Sequence, residues 1–141
     1  MNELERRGSD MTLHCTGREA GQDGSTNIVA YGWVTKEKKV KLLQESSLLL
    51  LPSAYEGQPM VALEALACGT PVLASNALHS LPDVIHQPDG ETVQSWADAI
   101  EHIRGTELEV GDTLDRHSVE SINERLGSIY SSKLSSTSTS Y

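Results

Sequence analysis

A chain of 141 residues, 38% of them apolar, suffices for one domain with a sizeable core but not for two. Its formal charge of −9, from 20 acidic and 11 basic residues, argues against nucleic acid or an anionic membrane as a partner, because both select concentrated Lys and Arg. The longest pure leucine run, Leu48 to Leu51, is far short of a bilayer span, so no integral membrane segment is expected.

The opening MNELERRGSD is charged and lacks the apolar core of a secretory signal, which makes a cytoplasmic location the default. Residues 11–17, MTLHCTG, predict a strand that stops at Gly17, and REAGQDGST predicts a polar loop. NIVAYGWV, 27–34, predicts a second strand. Thr35 is placed to cap a helix over KEKKVKLLQES, with Val40, Leu42 and Leu43 on its apolar side and the lysines solvated. LLLLPS fits a strand buried on both faces of a parallel sheet. Residues 58–68 predict a helix stopped by Gly69, and TPVLAS, 70–75, another buried strand.

Two more helices follow. Ser95 is positioned to cap one that carries Trp96, Ala99, Ile100 and Ile103. Ser118 is positioned to cap the other, with Val119, Ile122, Leu126, Ile129 and Tyr130 on one side. The last seven residues, SSTSTSY, are polar and of low complexity, so 1–134 is expected to be the domain and 135–141 a disordered tail. This alternation of strand and helix with short links predicts an α/β fold, a doubly wound parallel Rossmann-like sheet with helices on both faces. Cys15 and Cys68 are spaced unlike a zinc site and the five histidines are scattered, so no metal is expected.

Two glutamates carry the chemistry. Glu64 lies mid-helix among Met60, Val61, Leu63, Ala65, Leu66, Ala67 and Cys68, with no solvated stripe to share. A carboxylate there needs a partner, a pocket or water. Glu56 sits between a buried strand and that helix, where ligands of open α/β sheets bind and where free helix N–H groups attract phosphate or hydroxyl-rich molecules. Gly57 lets a ligand approach the backbone closely. A plainer alternative has Glu56 complementing the helix dipole and Glu64 pairing with an arginine such as Arg104.

The stretch LLLLPSAYEGQPMVALEALACGTPVLAS resembles the signature of the group 1, or family 4, glycosyltransferases of GT-B fold. Their pattern runs strand, Pro-Ser, an acidic residue, seven residues, Glu-Ala and Gly-x-Pro-Val, and Glu56 and Glu64 stand at that spacing. NIVAYGWVTKEK, ALHSLPDVI and HSVESINERLGSIY fit the same family, so the likeness covers most of residues 3–134. It implies that Glu56, as catalytic residue, accepts hydrogen bonds from the donor sugar and orients it. The backbone at Gly57, Gln58, Met60 and Val61 would line sugar and diphosphate. Glu64 would take the ribose hydroxyls, which suits an ionised carboxylate because it only accepts. Trp33 and Val34 would face the base.

Two residues depart from the family pattern. Gln58 replaces a frequent aromatic, and Pro59 has no N–H to offer a phosphate. The family's first strand and the Arg and Lys that clamp the diphosphate are expected to be missing, the chain opening in the following helix, NELERRG. Arg6 and Arg7 are not assigned that clamp. The lost strand would be central in the sheet, so either its neighbours close the gap or another chain supplies a strand.

The resemblance implies transfer of a hexose from a UDP-, GDP- or ADP-sugar to an acceptor, with retained configuration and without metal or cofactor. The acceptor half would lie on a separate chain. The alternatives are a non-catalytic nucleotide-sugar-binding subunit of a split enzyme and an inactive truncated product.

Overall fold

A computed structural model describes residues 2–17, 27–55, 59–79 and 81–104, with 106 and 108. Glu56, Gly57, Gln58, the helix expected after Ser118 and the tail 135–141 lie outside the described residues. The element order is α1 (Asn2–Arg6), β1 (Leu13–Cys15), β2 (Ile28–Ala30), α2 (Lys36–Glu45), β3 (Leu49–Leu51), α3 (Met60–Ala67), β4 (Val72–Ala74) and α4 (Val93–Ile103). Among the described residues, no helix is long and apolar enough to cross a membrane.

Local chemistry sets the helix limits. Thr35 is extended, and its side chain accepts from the Lys38 N–H at 3.3 Å, opening α2 as expected. Helix α3 ends at Gly69, whose φ of 80° is the left-handed conformation glycine tolerates. The Gly69 N–H reaches the Leu66 carbonyl at 3.0 Å and the Thr70 N–H reaches Ala65 at 2.9 Å, so the two bonds form a Schellman stop. For α4 the expected cap is corrected. Thr92, not Ser95, is the N-cap, and Ser95 stands three residues inside. Each side chain takes the other's backbone N–H at 3.1 Å, a reciprocal box that satisfies two end donors and starts the helix at Val93.

The strands are shorter than their apolar runs, and they pair in two separate parallel sheets, β1 with β2 and β3 with β4. Leu13, His14 and Cys15 stand opposite Ile28, Val29 and Ala30; Leu49, Leu50 and Leu51 stand opposite Val72, Leu73 and Ala74. His86 adds a single bridge on the outer side of β4. The parallel α/β architecture is present, and of the two outcomes expected at the sheet centre, closure by the neighbouring strands does not occur: β1 and β3 share no ladder.

Helices cover both faces. On one, Ala97, Ile100 and Ile103 of α4 bury against Leu4 and Leu73, with Leu48 and Leu50 alongside. Arg7 ties α1 to that layer, donating to Asp98 at 2.6 Å, Glu101 at 3.1 Å and Glu3 at 3.0 Å. On the other, Ala62, Ala65 and Leu66 of α3 are fully shielded, and Leu43 of α2 is buried beside them. Strand alternation explains the division, because Leu50 and Leu73 point one way and their neighbours the other. Sealing a side chain such as Leu66 or Leu73 contributes about 1.5–3 kcal/mol. Thr70 Oγ1 donates to the Leu43 carbonyl at 2.6 Å, fastening α2 to the entry of β4. Cys15 and Cys68 are free, half-buried thiols.

Candidate functional site

The carboxyl ends of β2 and β3 carry large apolar side chains that stay open to solvent. Trp33, just beyond β2, is 90% exposed; Tyr55, beyond β3, is 87% exposed; Met60, first residue of α3, is 57% exposed. Val34 and Val61 are half-buried. Burial would normally be the lower-energy state of such groups.

Helix α3 opens toward this face without a side-chain cap. Pro59 occupies its N-cap and the Ala62 N–H turns back to the Pro59 carbonyl at 2.9 Å. The N–H groups of Met60 and Val61 precede the first helical acceptor, and the partial positive charge of the helix end concentrates on them.

Glu64 lies one turn in. Its side chain is 33% exposed, and Lys39 of α2 sits against it, with Nζ 2.8 Å from Oε1 and 2.7 Å from Oε2. The two contacts differ in kind. Oε1 accepts a well-formed hydrogen bond, whereas Oε2 is shielded from solvent and close to the ammonium at an angle that makes no hydrogen bond. One acceptor oxygen therefore has charge compensation but unfilled lone pairs. Without a ligand, a neighbouring lysine compensates Glu64. The expected alternative protein partner is corrected, since Arg104 faces Asp10 at 3.5 Å. In the sequence Lys39 stands among lysines expected to be solvated. Its position three and four residues before Leu42 and Leu43 was the usable signal, for it shares their helix face.

A second cluster is set by α2 and β1. The His14 and Tyr31 rings stack at 5.7 Å with planes 11° apart, His14 Nδ1 lies 2.9 Å from the Tyr31 hydroxyl, and Lys38 Nζ stands 4.9 Å from the Tyr31 ring centre. No sequence pattern announced it, because the three residues come from separate elements. A cleft of about 460 Å³ runs between β1 and β3; Lys39 and Val61 line it, and Glu64 stands behind Lys39.

Beyond β4, the Glu91 carboxylate accepts from Trp96 Nε1 at 3.0 Å, the Asn76 N–H at 2.6 Å and Ser75 Oγ at 3.0 Å. These donors, Trp96 foremost, hold its carboxyl below the usual range. With its acceptor positions engaged by protein, Glu91 acts as a clasp between the β4 exit and α4. Of the residues singled out from the sequence, Met60, Val61 and Glu64 lie on α3, and Trp33 and Val34 lie in the connection between β2 and α2.

Comparison with known proteins bears on this arrangement. Residues 1–105 match the family model described as Glycosyl transferases group 1. The chain is 33% identical over 99 residues to an "Uncharacterized 41.2 kDa protein in cps region" of Klebsiella pneumoniae, covering 70% of this chain and 25% of that protein. It is 43% identical over 58 residues to the MMP alpha-(1->4)-mannosyltransferase of Mycolicibacterium hassiacum, covering 41% of this chain and 14% of that one. It is 40% identical over 68 residues to the D-inositol 3-phosphate glycosyltransferase of Mycobacterium tuberculosis, covering 44% and 14% respectively. The matched stretches span a quarter or less of these relatives. No solved structure matches the chain.

Proposed function

The chain belongs to the group 1 glycosyltransferases, and from that premise we propose that it binds the nucleotide-sugar donor of a hexosyl transfer. The reaction exchanges the diphosphate on the anomeric carbon for an acceptor oxygen, with retained configuration and without metal. Glu56 orients the sugar through its hydroxyls. The backbone at Gly57, Gln58, Met60 and Val61 lies along sugar and diphosphate, and Trp33 and Val34 flank the base.

The observation that carries this reading is the uncapped start of α3 beside exposed Met60, with an acceptor carboxylate one turn deeper. Free N–H groups and a helix dipole favour a diphosphate there without a metal ion. Glu64 receives the ribose hydroxyls, and Lys39 holds the carboxylate oriented for them. Its Oε2, near a charge but lacking a hydrogen bond, has the capacity to accept one.

Calorimetry on the purified chain tests the assignment. UDP, GDP and ADP are each titrated against wild type and Glu64→Ala, then repeated with 2′,3′-dideoxy nucleotides. Loss of a charge-assisted bond to ribose weakens the ribonucleotide by about 1–3 kcal/mol. The variant should also lose wild type's preference for ribose over dideoxyribose. An unchanged preference removes Glu64 from the ribose site. Donor hydrolysis by the isolated chain then separates a transferase from a binding module: binding without turnover favours the latter.

A further inference from the structure

We infer that Lys39 decides how the ribose is read: with its ammonium seated on Glu64, the carboxylate accepts one hydroxyl of the vicinal diol and not both. This rests on the ribose role proposed above for Glu64 and narrows it from two hydroxyls to one.

The geometry of the pair carries the inference. Lys39 Nζ lies 2.8 Å from Oε1 and 2.7 Å from Oε2, so it stands midway between the two oxygens. A 2′,3′-diol that gives one hydrogen bond to each oxygen of a carboxylate bridges that same midline. Ammonium and bridging diol therefore compete for one place. The two oxygens are also unequal. Oε1 accepts a hydrogen bond from Lys39, whereas Oε2 accepts none. One hydroxyl donating to Oε2 leaves the lysine contact intact; a second that bridges to Oε1 has to displace it.

The fold holds Lys39 where it is. Thr35 Oγ1 accepts from the Lys38 N–H at 3.3 Å and the Thr35 carbonyl accepts from the Lys39 N–H at 2.9 Å, so α2 starts at a fixed residue. Leu43, one turn further on, is buried, and α2 packs against α3. Residues four apart share a helix face, which brings the lysine stem to the side where Glu64 stands. Lys38 instead turns to the Tyr31 ring, with Nζ 4.9 Å from its centre. Displacing Lys39 is unfavourable too. Its side chain and that of Glu64 are 35% and 33% exposed, so parting them leaves a partly buried ammonium without its partner and substitutes bonds from neutral hydroxyls. Lys39 thus acts through Glu64, as a positioning residue. Selectivity for ribose then rests on a single position of the ring.

The test is calorimetry on the full chain. Whichever of UDP, GDP and ADP binds best is compared with its 2′-deoxy, 3′-deoxy and 2′,3′-dideoxy forms. In wild type, one singly deoxygenated form should bind about tenfold weaker or more, the effect of losing a hydrogen bond to a charged group, and the other within about twofold. Lys39→Met frees both oxygens, so each singly deoxygenated form should then fall about tenfold below the ribonucleotide. Lys38→Met removes an equal charge one residue away and should keep the wild-type pattern. A general loss of fold or charge weakens all four ligands together and creates no new preference among them. Should Lys39→Met fail to fold, the wild-type pattern by itself decides. Equal losses for the 2′-deoxy and 3′-deoxy forms in wild type overturn the inference while leaving the ribose role of Glu64 standing. A Lys39→Met profile like that of wild type does the same. A dideoxy form that binds wild type as tightly as the ribonucleotide removes the ribose role itself, and this inference with it.

Discussion

Removing the Lys39 ammonium while keeping its alkyl stem, as in Lys39→Met, probes the contact that compensates Glu64. At 2.7 Å and an effective dielectric of about 20, the gross attraction is about 6 kcal/mol. Most of it is offset by desolvation of both groups and by ordering the lysine, which alone costs up to about 2 kcal/mol. Fully exposed pairs contribute about 0–1 kcal/mol, and breaking fully buried ones costs about 3–5 kcal/mol. These side chains are 35% and 33% exposed, so the expected coupling is about 1–2 kcal/mol. The assay is a double-mutant cycle by urea unfolding on wild type, Lys39→Met, Glu64→Gln and the double variant. Lys39→Met should cost more than the double variant, because it strands a carboxylate whose Oε2 is shut from water. Replacing both by apolar groups, Lys39→Met with Glu64→Leu, should come close to wild type. A coupling near zero, or a Lys39→Met variant as stable as wild type, would refute the reasoning.

Two further perturbations address the frame around the site. Gly69→Ala should destabilise by about 1 kcal/mol in thermal unfolding, Gly69→Asn by less, since φ is 80° and a new Cβ meets nothing within 4 Å, leaving only backbone strain. For Glu91 the folded carboxyl lies below its ordinary value of 4.5, so its contribution is present above that pH and is lost as pH falls through the folded value. Glu91→Gln should therefore flatten the acid limb of the stability curve below pH 4.5, as followed by denaturant midpoints; an unaltered limb would dismiss the clasp.

Features that depend on neighbours in sequence were legible before any coordinates. Thr35 announces the start of α2 and Gly69 the end of α3, since a cap and a left-handed stop are satisfied within a few residues. The uninterrupted leucines announced a strand covered on both sides, and the strand–helix alternation announced parallel architecture. At α4 the same local logic slipped by one turn. Thr92 and Ser95 are both good caps, and which one serves depends on both halves of a reciprocal bond.

Tertiary structure decided what Glu64 meets and where the sheet divides. An isolated acid on an apolar helix is visible in sequence, but Lys39 is 25 residues away and arrives only because α2 packs on α3. The Arg104 that sequence offered instead lies against Asp10. Whether β1 and β3 join depends on backbone groups that every residue carries, so no side-chain pattern encodes it; only the spacing of the two packed halves does. Short-range hydrogen bonds and periodicity make the pieces of this protein readable, while pairing across the fold is set by which surfaces burial brings together.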